Sequence, residues 1–172
     1  TEEVMREARS LKEQGFRSIL LVSGEHPKFA SKGYMVDCVC ELHEEMPSIS
    51  LEVGPMETED YRAIVEGGAE GLVVYQETYH ERKYKTHHPK GKKSNFQYRL
   101  ETPDRLGKAG IYKIGLGTLL GLEDWRTDSF FTALHLNYLE KTYWQTNYSV
   151  SFPRLRPIQQ LNSLKSFDSC IS

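Results

Sequence analysis

The sequence is poor in cysteine, in long apolar runs and in charge of one sign. Its three cysteines, Cys38, Cys40 and Cys170, are too few for a disulfide framework. Cys38 and Cys40 stand two apart in a helical pattern, cannot both face one site, and read as structural thiols. No apolar run approaches the ~18 residues of a membrane-spanning helix. The opening Thr1-Glu2-Glu3 is the opposite of a signal peptide's basic, then apolar, start. Lysine and arginine number 22 against 24 aspartate and glutamate, so the net charge of −2 exerts no global pull toward nucleic acid or an acidic membrane. The expectation is a soluble cytoplasmic protein, with no membrane and no nucleic-acid partner.

What is present suits a globular fold. The 172 residues are about one domain's worth, and 38% hydrophobic residues with 13 glycines can build a core. Apolar positions at helical spacing predict helices over residues 2–14, through Met35, Val39, Leu42 and Met46, and from Thr58, as N-cap, to Glu66. A further helix is expected to start after a Ser94/Gln97 capping box and to be kinked by Pro103, the alternative being a separate helix opening at Pro103. It ends at Lys108-Ala109-Gly110, where glycine suits the left-handed turn past a helix end. The last spans Thr127 to Tyr143, with Phe131, Leu134 and Tyr138 facing inward. Between these lie short apolar segments at 18–22, 49–53, 71–75, 111–116 and 147–152, the first of them expected to be buried on both faces.

Strands alternating with helices predict parallel βαβ units, and polar or glycine-rich residues follow every strand: SGEHP, GPMET, QETYH, GLGTLLGLED and PRLRP. That placement marks the catalytic face of a barrel. Five βα units fall short of the ~250 residues of a full barrel, so the fold class is α/β, a partial TIM-type barrel over residues 1–157 with an unassigned tail over 158–172. A five-stranded flavodoxin-like sheet is the rival.

Glu25 and Glu77 follow strands and share the sheet's C-terminal end, where carboxylates bind ammonium groups, hydroxyls or metals, or do acid–base work. Backbone N–H groups of the loops are their bland alternative partners. Arg99 and Arg105 could fork onto a carboxylate or lie on the surface. Gly115, Gly117 and Gly121 form GxGxxxG, not the dinucleotide fingerprint; they let backbone approach a ligand, or only permit tight packing. The basic run from Arg82 to Lys93 reads as a solvated loop, and His80, His87 and His88 have no established metal spacing.

The segments LLVSGEHPK, VVYQETYHE, HHPKGKKSNFQYRLETPDRLGKAGI, KIGLGTLLGLEDWRTDSF and YWQTNYSVSFPRLRP resemble the tyrosine lyases (2-iminoacetate synthases) of thiamine biosynthesis, within the radical S-adenosylmethionine superfamily. The resemblance runs from Thr1 to Pro157. The hydrogenase-maturation tyrosine lyases share QETYH and PRLRP, whereas RLETPDRLGKAGI and YSVSFPRLRP look more like the thiamine enzyme.

The resemblance implies a radical SAM barrel in which a 4Fe-4S cluster and S-adenosylmethionine generate a radical that takes a hydrogen from L-tyrosine. Cα–Cβ cleavage then yields 2-iminoacetate and p-cresol, and thiazole synthase is the implied protein partner. It places Gly24 and Glu25 at the cofactor's amino group, Glu77 near its ribose and methionine moieties, Arg99 at its carboxylate, and Gly115, Gly117 and Gly121 at its adenine. It places Tyr79, His80, Tyr148 and Arg154 at the substrate cavity as the catalytic candidates. The CxxxCxxC motif that holds the family's cluster is missing, so the cluster ligands are expected outside this chain, and the chain alone is expected to be inactive. The other reading is a non-catalytic half-barrel that serves binding or assembly.

Overall fold

The computed structural model describes residues 2–24 and 31–156. Seven α-helices and five strands alternate along them: α1 (Glu2–Glu13), β1 (Ser18–Val22), α2 (Lys32–His43), β2 (Ser48–Glu52), α3 (Thr58–Glu66), β3 (Gly71–Val73), α4 (Glu81–His87), α5 (Phe96–Leu100), α6 (Thr102–Ala109), β4 (Lys113–Gly117), α7 (Trp125–Thr142) and β5 (Asn147–Ser151). A 3-10 turn at Lys92–Ser94 precedes α5.

All five strands are parallel and lie in the order β1-β2-β3-β4-β5. This order excludes the flavodoxin-like alternative, whose chain reverses direction across its sheet. Burial points the same way. Ile49, Leu51, Leu72, Val74, Ile114 and Leu116 are buried, all on one parity of their strands, against Ala8, Val39, Leu42, Tyr61, Ile64, Leu106 and Leu139 of the helices. A doubly wound sheet would bury both parities. Helices cover one face only, and the sheet is an open arc of a (β/α) barrel. Each fully buried Leu or Ile contributes about 1.5–3 kcal/mol to that layer.

The uncovered face is the barrel's interior side. Leu20 and Val22 stand on it, 48% and 70% exposed, so β1 is not buried on both faces as its composition predicts. Ser48, Ser50, Gly71, Val73, Gly115 and Ser149 line one shallow cavity there.

Several local expectations change. Pro103 opens the separate helix α6, after Glu101 has broken the chain from α5. Asn95, not Ser94, caps α5 by accepting the Tyr98 N–H, and Gln97 donates to Glu101 rather than closing a capping box. Glu57 occupies the N-cap position of α3 that Thr58 was expected to fill. The basic run is half helical, as α4. Gly110 is left-handed (φ 82) at the end of α6, as expected. The largest difference lies in α7. Asp128, Thr132 and Leu139 face inward, whereas Phe131, Leu134 and Tyr138 are 43%, 50% and 50% exposed. Asp128 and Thr132 can be buried because their polar atoms are bonded: Asp128 accepts from Thr78 and Tyr79, and Thr132 Oγ1 donates to the Asp128 carbonyl.

Candidate functional site

At the C-terminal ends of β1, β2 and β3 a cavity of ≈ 240 Å³ opens on the interior side, with Ser23, Gly24, Glu52, Glu77, Lys93 and Arg99 among its lining residues. Alternation along β2 puts Glu52 there, since Ile49 and Leu51 take the core face. Gly24 lines this cavity; Glu25 lies outside the described residues.

Glu77 is the only described non-glycine residue with positive φ, at 71°. Left-handed backbone costs a side-chain-bearing residue roughly 1–2 kcal/mol, and such strain gathers at functional sites. The conformation is held by the β4 exit: Glu77 and Thr118 form an isolated parallel bridge, and Leu119 N–H donates to the Glu77 carbonyl at 2.8 Å. The strain turns the carboxylate toward Arg99, whose Nη2 donates to Oε1 at 3.3 Å.

Arg99 is 5% exposed, and its Nε donates to the Tyr75 carbonyl at 2.6 Å. Its Nη1 is buried without a hydrogen-bond partner among the described residues. A buried guanidinium with one prong unmet is costly, and an added carboxylate would complete the fork. The cavity also pairs two cations, Arg99 and Lys93, with two anions, Glu52 and Glu77. That balance fits the zwitterionic end of an amino acid, with its carboxylate on Arg99 and its ammonium near the two carboxylates. Beside the site, burial first and then the Arg99 charge push the His88 pKa down, and His88 Nε2 is also unpartnered among the described residues.

Other expected residues take different places. Arg105 is a structural clamp: it donates to the carbonyls of Met56 and Tyr98 and lies 3.9 Å from the centroid of the Tyr98 ring. Gly115, Gly117 and Gly121 are packed against protein. A Cβ on Gly115 would meet Val73 at 2.7 Å, one on Gly117 would meet the Ser151 carbonyl oxygen at 2.3 Å, and one on Gly121 would meet Leu155 at 3.3 Å. Packing therefore accounts for Gly115 and Gly117, the second of which also keeps clear the ring of Tyr75, a cavity residue, whereas Gly121 has φ 105°, which favours glycine whatever the space.

Two candidate tyrosines turn away from the interior side. The Tyr79 hydroxyl lies 2.9 Å from His135 Nδ1 of α7, its ring stacks on Phe131, and burial raises its pKa. Tyr148 is register-paired with the core residue Ile114, and its hydroxyl donates to the carbonyls of Leu139 and Tyr143. Tyr148 points into the helical layer because its strand position shares the parity of the core, whereas Tyr79 lies past the end of β3, beyond the left-handed Glu77, with its N–H tied to Asp128 of α7. His80 sits at the N-cap of α4, near Glu123, which bonds Lys83 at 2.6 Å and His87 at 2.9 Å. Those two bonds, Lys83 first, hold the Glu123 pKa below the usual carboxylate value. Arg154 stays at the expected end of the sheet, exposed, its backbone bridged to Leu120.

Glu52 and Lys93 escaped the sequence reading. The alternation Ser48, Ser50, Glu52 was the signal for the first; nothing in a basic run singled out the second.

No family model matches the chain. Over 156 residues, 90% of this chain, it is 51% identical to the 2-iminoacetate synthase of Escherichia coli (strain K12) and 49% identical to that of Salmonella typhimurium. Over most of its length the segment is similar to the 2-iminoacetate synthases. It spans 41% of the length of these curated relatives. Two solved structures of the FeFe-hydrogenase maturase HydG, one from Carboxydothermus hydrogenoformans, share 30% and 31% identity with TM-scores of 0.87 and 0.84. They cover 94% and 91% of this segment and 38% and 37% of their own chains. Methylornithine synthase PylB, at 22% identity and a TM-score of 0.71 over 90% of this chain and 44% of its own, shares the fold.

Proposed function

We propose that this chain is the cofactor-anchoring portion of a cytoplasmic radical S-adenosylmethionine tyrosine lyase, which splits L-tyrosine at Cα–Cβ into 2-iminoacetate and p-cresol. In this reading 2-iminoacetate passes to thiazole synthase. The observation that carries it is the Glu77–Arg99 pair with Arg99 Nη1 unmet beside it, at the C-terminal end of a parallel barrel sheet. The family of the curated relatives supports the choice of reaction over that of the hydrogenase maturases.

S-adenosylmethionine, when bound with its iron–sulfur cluster, supplies the radical that abstracts hydrogen from the substrate. The residues here do the binding. Arg99 Nη1 would donate to the methionine carboxylate, and Glu52 and Glu77 would accept from its ammonium group. Arg99 is held for this by Tyr75 and Glu77, so little side-chain freedom remains to be lost on binding. The cavity's ≈ 240 Å³ suits the amino-acid end of the cofactor and not the whole of it. The cluster itself does not fit these residues. Cys38 is buried and Cys40 exposed on α2, and no group of three or more metal-binding side chains occurs among the described residues. Its ligands belong, in this reading, to the rest of the enzyme.

The test is equilibrium binding of S-adenosylmethionine to the full-length protein, with tyrosine-dependent p-cresol release measured alongside. Arg99→Lys and Glu77→Ala should each weaken binding by about tenfold or more, because a charge-assisted contact is lost. Unchanged binding in both variants would overturn the assignment.

A further inference from the structure

The strained turn that carries Glu77 is held from two sides. On one side is the β4 exit, through Leu119 and the Thr118 bridge. On the other is α7. Asp128, in the first turn of that helix and 2% exposed, reaches back about fifty residues in sequence. Its Oδ1 accepts the Thr78 hydroxyl at 3.0 Å and the Tyr79 N–H at 2.7 Å. Thr78 is itself fully buried, and its Oγ1 accepts the His80 N–H at 3.1 Å. The two residues that follow Glu77 are thus tied to one carboxylate oxygen, and the next is tied to the first of them. α7 supports Asp128 in turn, because Thr132 Oγ1 donates to the Asp128 carbonyl.

A left-handed residue persists only where its neighbours over-determine it. With its two acceptances removed, residues 78 and 79 would be free to let Glu77 relax into an extended or right-handed conformation. The carboxylate would then swing off Arg99, and Arg99 would lose the partner that orients its fork. We propose that Asp128 is a positioning residue for cofactor binding: it touches no ligand and acts by holding Glu77 in its left-handed conformation against Arg99. The inference rests on the reading of Glu77 and Arg99 given under Proposed function.

Two measurements test it. Hydrogen exchange of the peptide spanning residues 76–80 reports the tether, and equilibrium binding of S-adenosylmethionine to the full-length, cluster-loaded protein reports its consequence. Asp128→Ala should speed exchange in that peptide and weaken cofactor binding by about tenfold, the scale of one lost charged hydrogen bond. Asp128→Asn keeps an Oδ1 acceptor for both donors and should bind within about threefold of the parent. In a Glu77→Ala background, Asp128→Ala should weaken binding by less than about twofold more, since it acts through a side chain already removed. Faster exchange with undiminished binding would overturn the proposal, as would losses that multiply in the double variant. A Glu77→Ala variant that binds normally would instead refute the underlying site assignment. The two failures are therefore distinguishable.

Discussion

Glu77 adopts a left-handed backbone conformation and, by doing so, presents its Oε1 to Arg99 Nη2 at 3.3 Å. Conformation and contact can be separated by substitution. Glu77→Gly and Glu77→Ala both remove the carboxylate, but only glycine accepts φ 71° without cost. The Glu77→Gly variant should be more stable than Glu77→Ala by about 1 kcal/mol, while both lose cofactor affinity alike. Denaturant melts and binding isotherms of the two variants check this; equal stabilities would show that the backbone relaxes once the carboxylate is gone.

The glycines divide by what surrounds them. A Cβ at Gly117 would fall 2.3 Å from a backbone oxygen of β5, which cannot move without breaking the strand pair, so Gly117→Ala should cost about 2–3 kcal/mol. Gly33, in the first turn of α2, has nothing within 4 Å, and Gly33→Ala should stabilise by about 0.5–1 kcal/mol through helix propensity. Thermal unfolding of the two variants should move in opposite directions.

Acid should weaken the fold through its buried histidines. Burial pushes the pKa of His135 and of His88 below the ordinary 6.5. Between the folded and unfolded values the unfolded chain binds more protons, so stability falls as pH drops through 6.5 and levels off below the folded values. Urea midpoints at pH 7.5 and 5.5 should show the loss, and His135→Gln should flatten it. A midpoint independent of pH over that interval would contradict the burial of these rings.

The inward face of α7 can be read by truncation. Leu139 is fully buried, and Leu139→Ala should cost about 2–4 kcal/mol. Leu134 is half exposed, and Leu134→Gln should stay within about 1 kcal/mol of the parent. Similar losses in chemical denaturation would restore the opposite face to the core.

The architecture was legible because local signals agreed: apolar segments at strand spacing, helical periodicity, and Gly110 past the end of α6. Glu77 was legible as a carboxylate past a strand and Arg99 as a helical arginine able to fork onto one, and the resemblance implied their roles. The inward face of α7 was not. Its aromatic residues look like core, but Asp128 and Thr132 are buried with Leu139, and Asp128 is matched by partners about fifty positions away that no local pattern reveals. Tyr79 was misplaced for the same reason, since its partner His135 lies on that helix. Tyr148 could have been placed. Asn147, Ser149 and Ser151 alternate with it, so Tyr148 and Val150 share the other face. The expected caps at Thr58 and Ser94 missed by a single residue, which is the ordinary scale of error at a helix end.

Because each strand pairs with the one just before it in sequence, the sheet has a consequence for how the protein is made. Every new βα unit emerging from a ribosome finds its partner already synthesised, and each pairing closes a loop of only one unit, so the entropic cost of adding a strand stays nearly constant along the chain. A doubly wound sheet has no such sequence of events, since its second half must wait to find the far edge of the first. The arc can instead grow in one direction, from the N-terminal strand onward, with a single advancing edge at any moment.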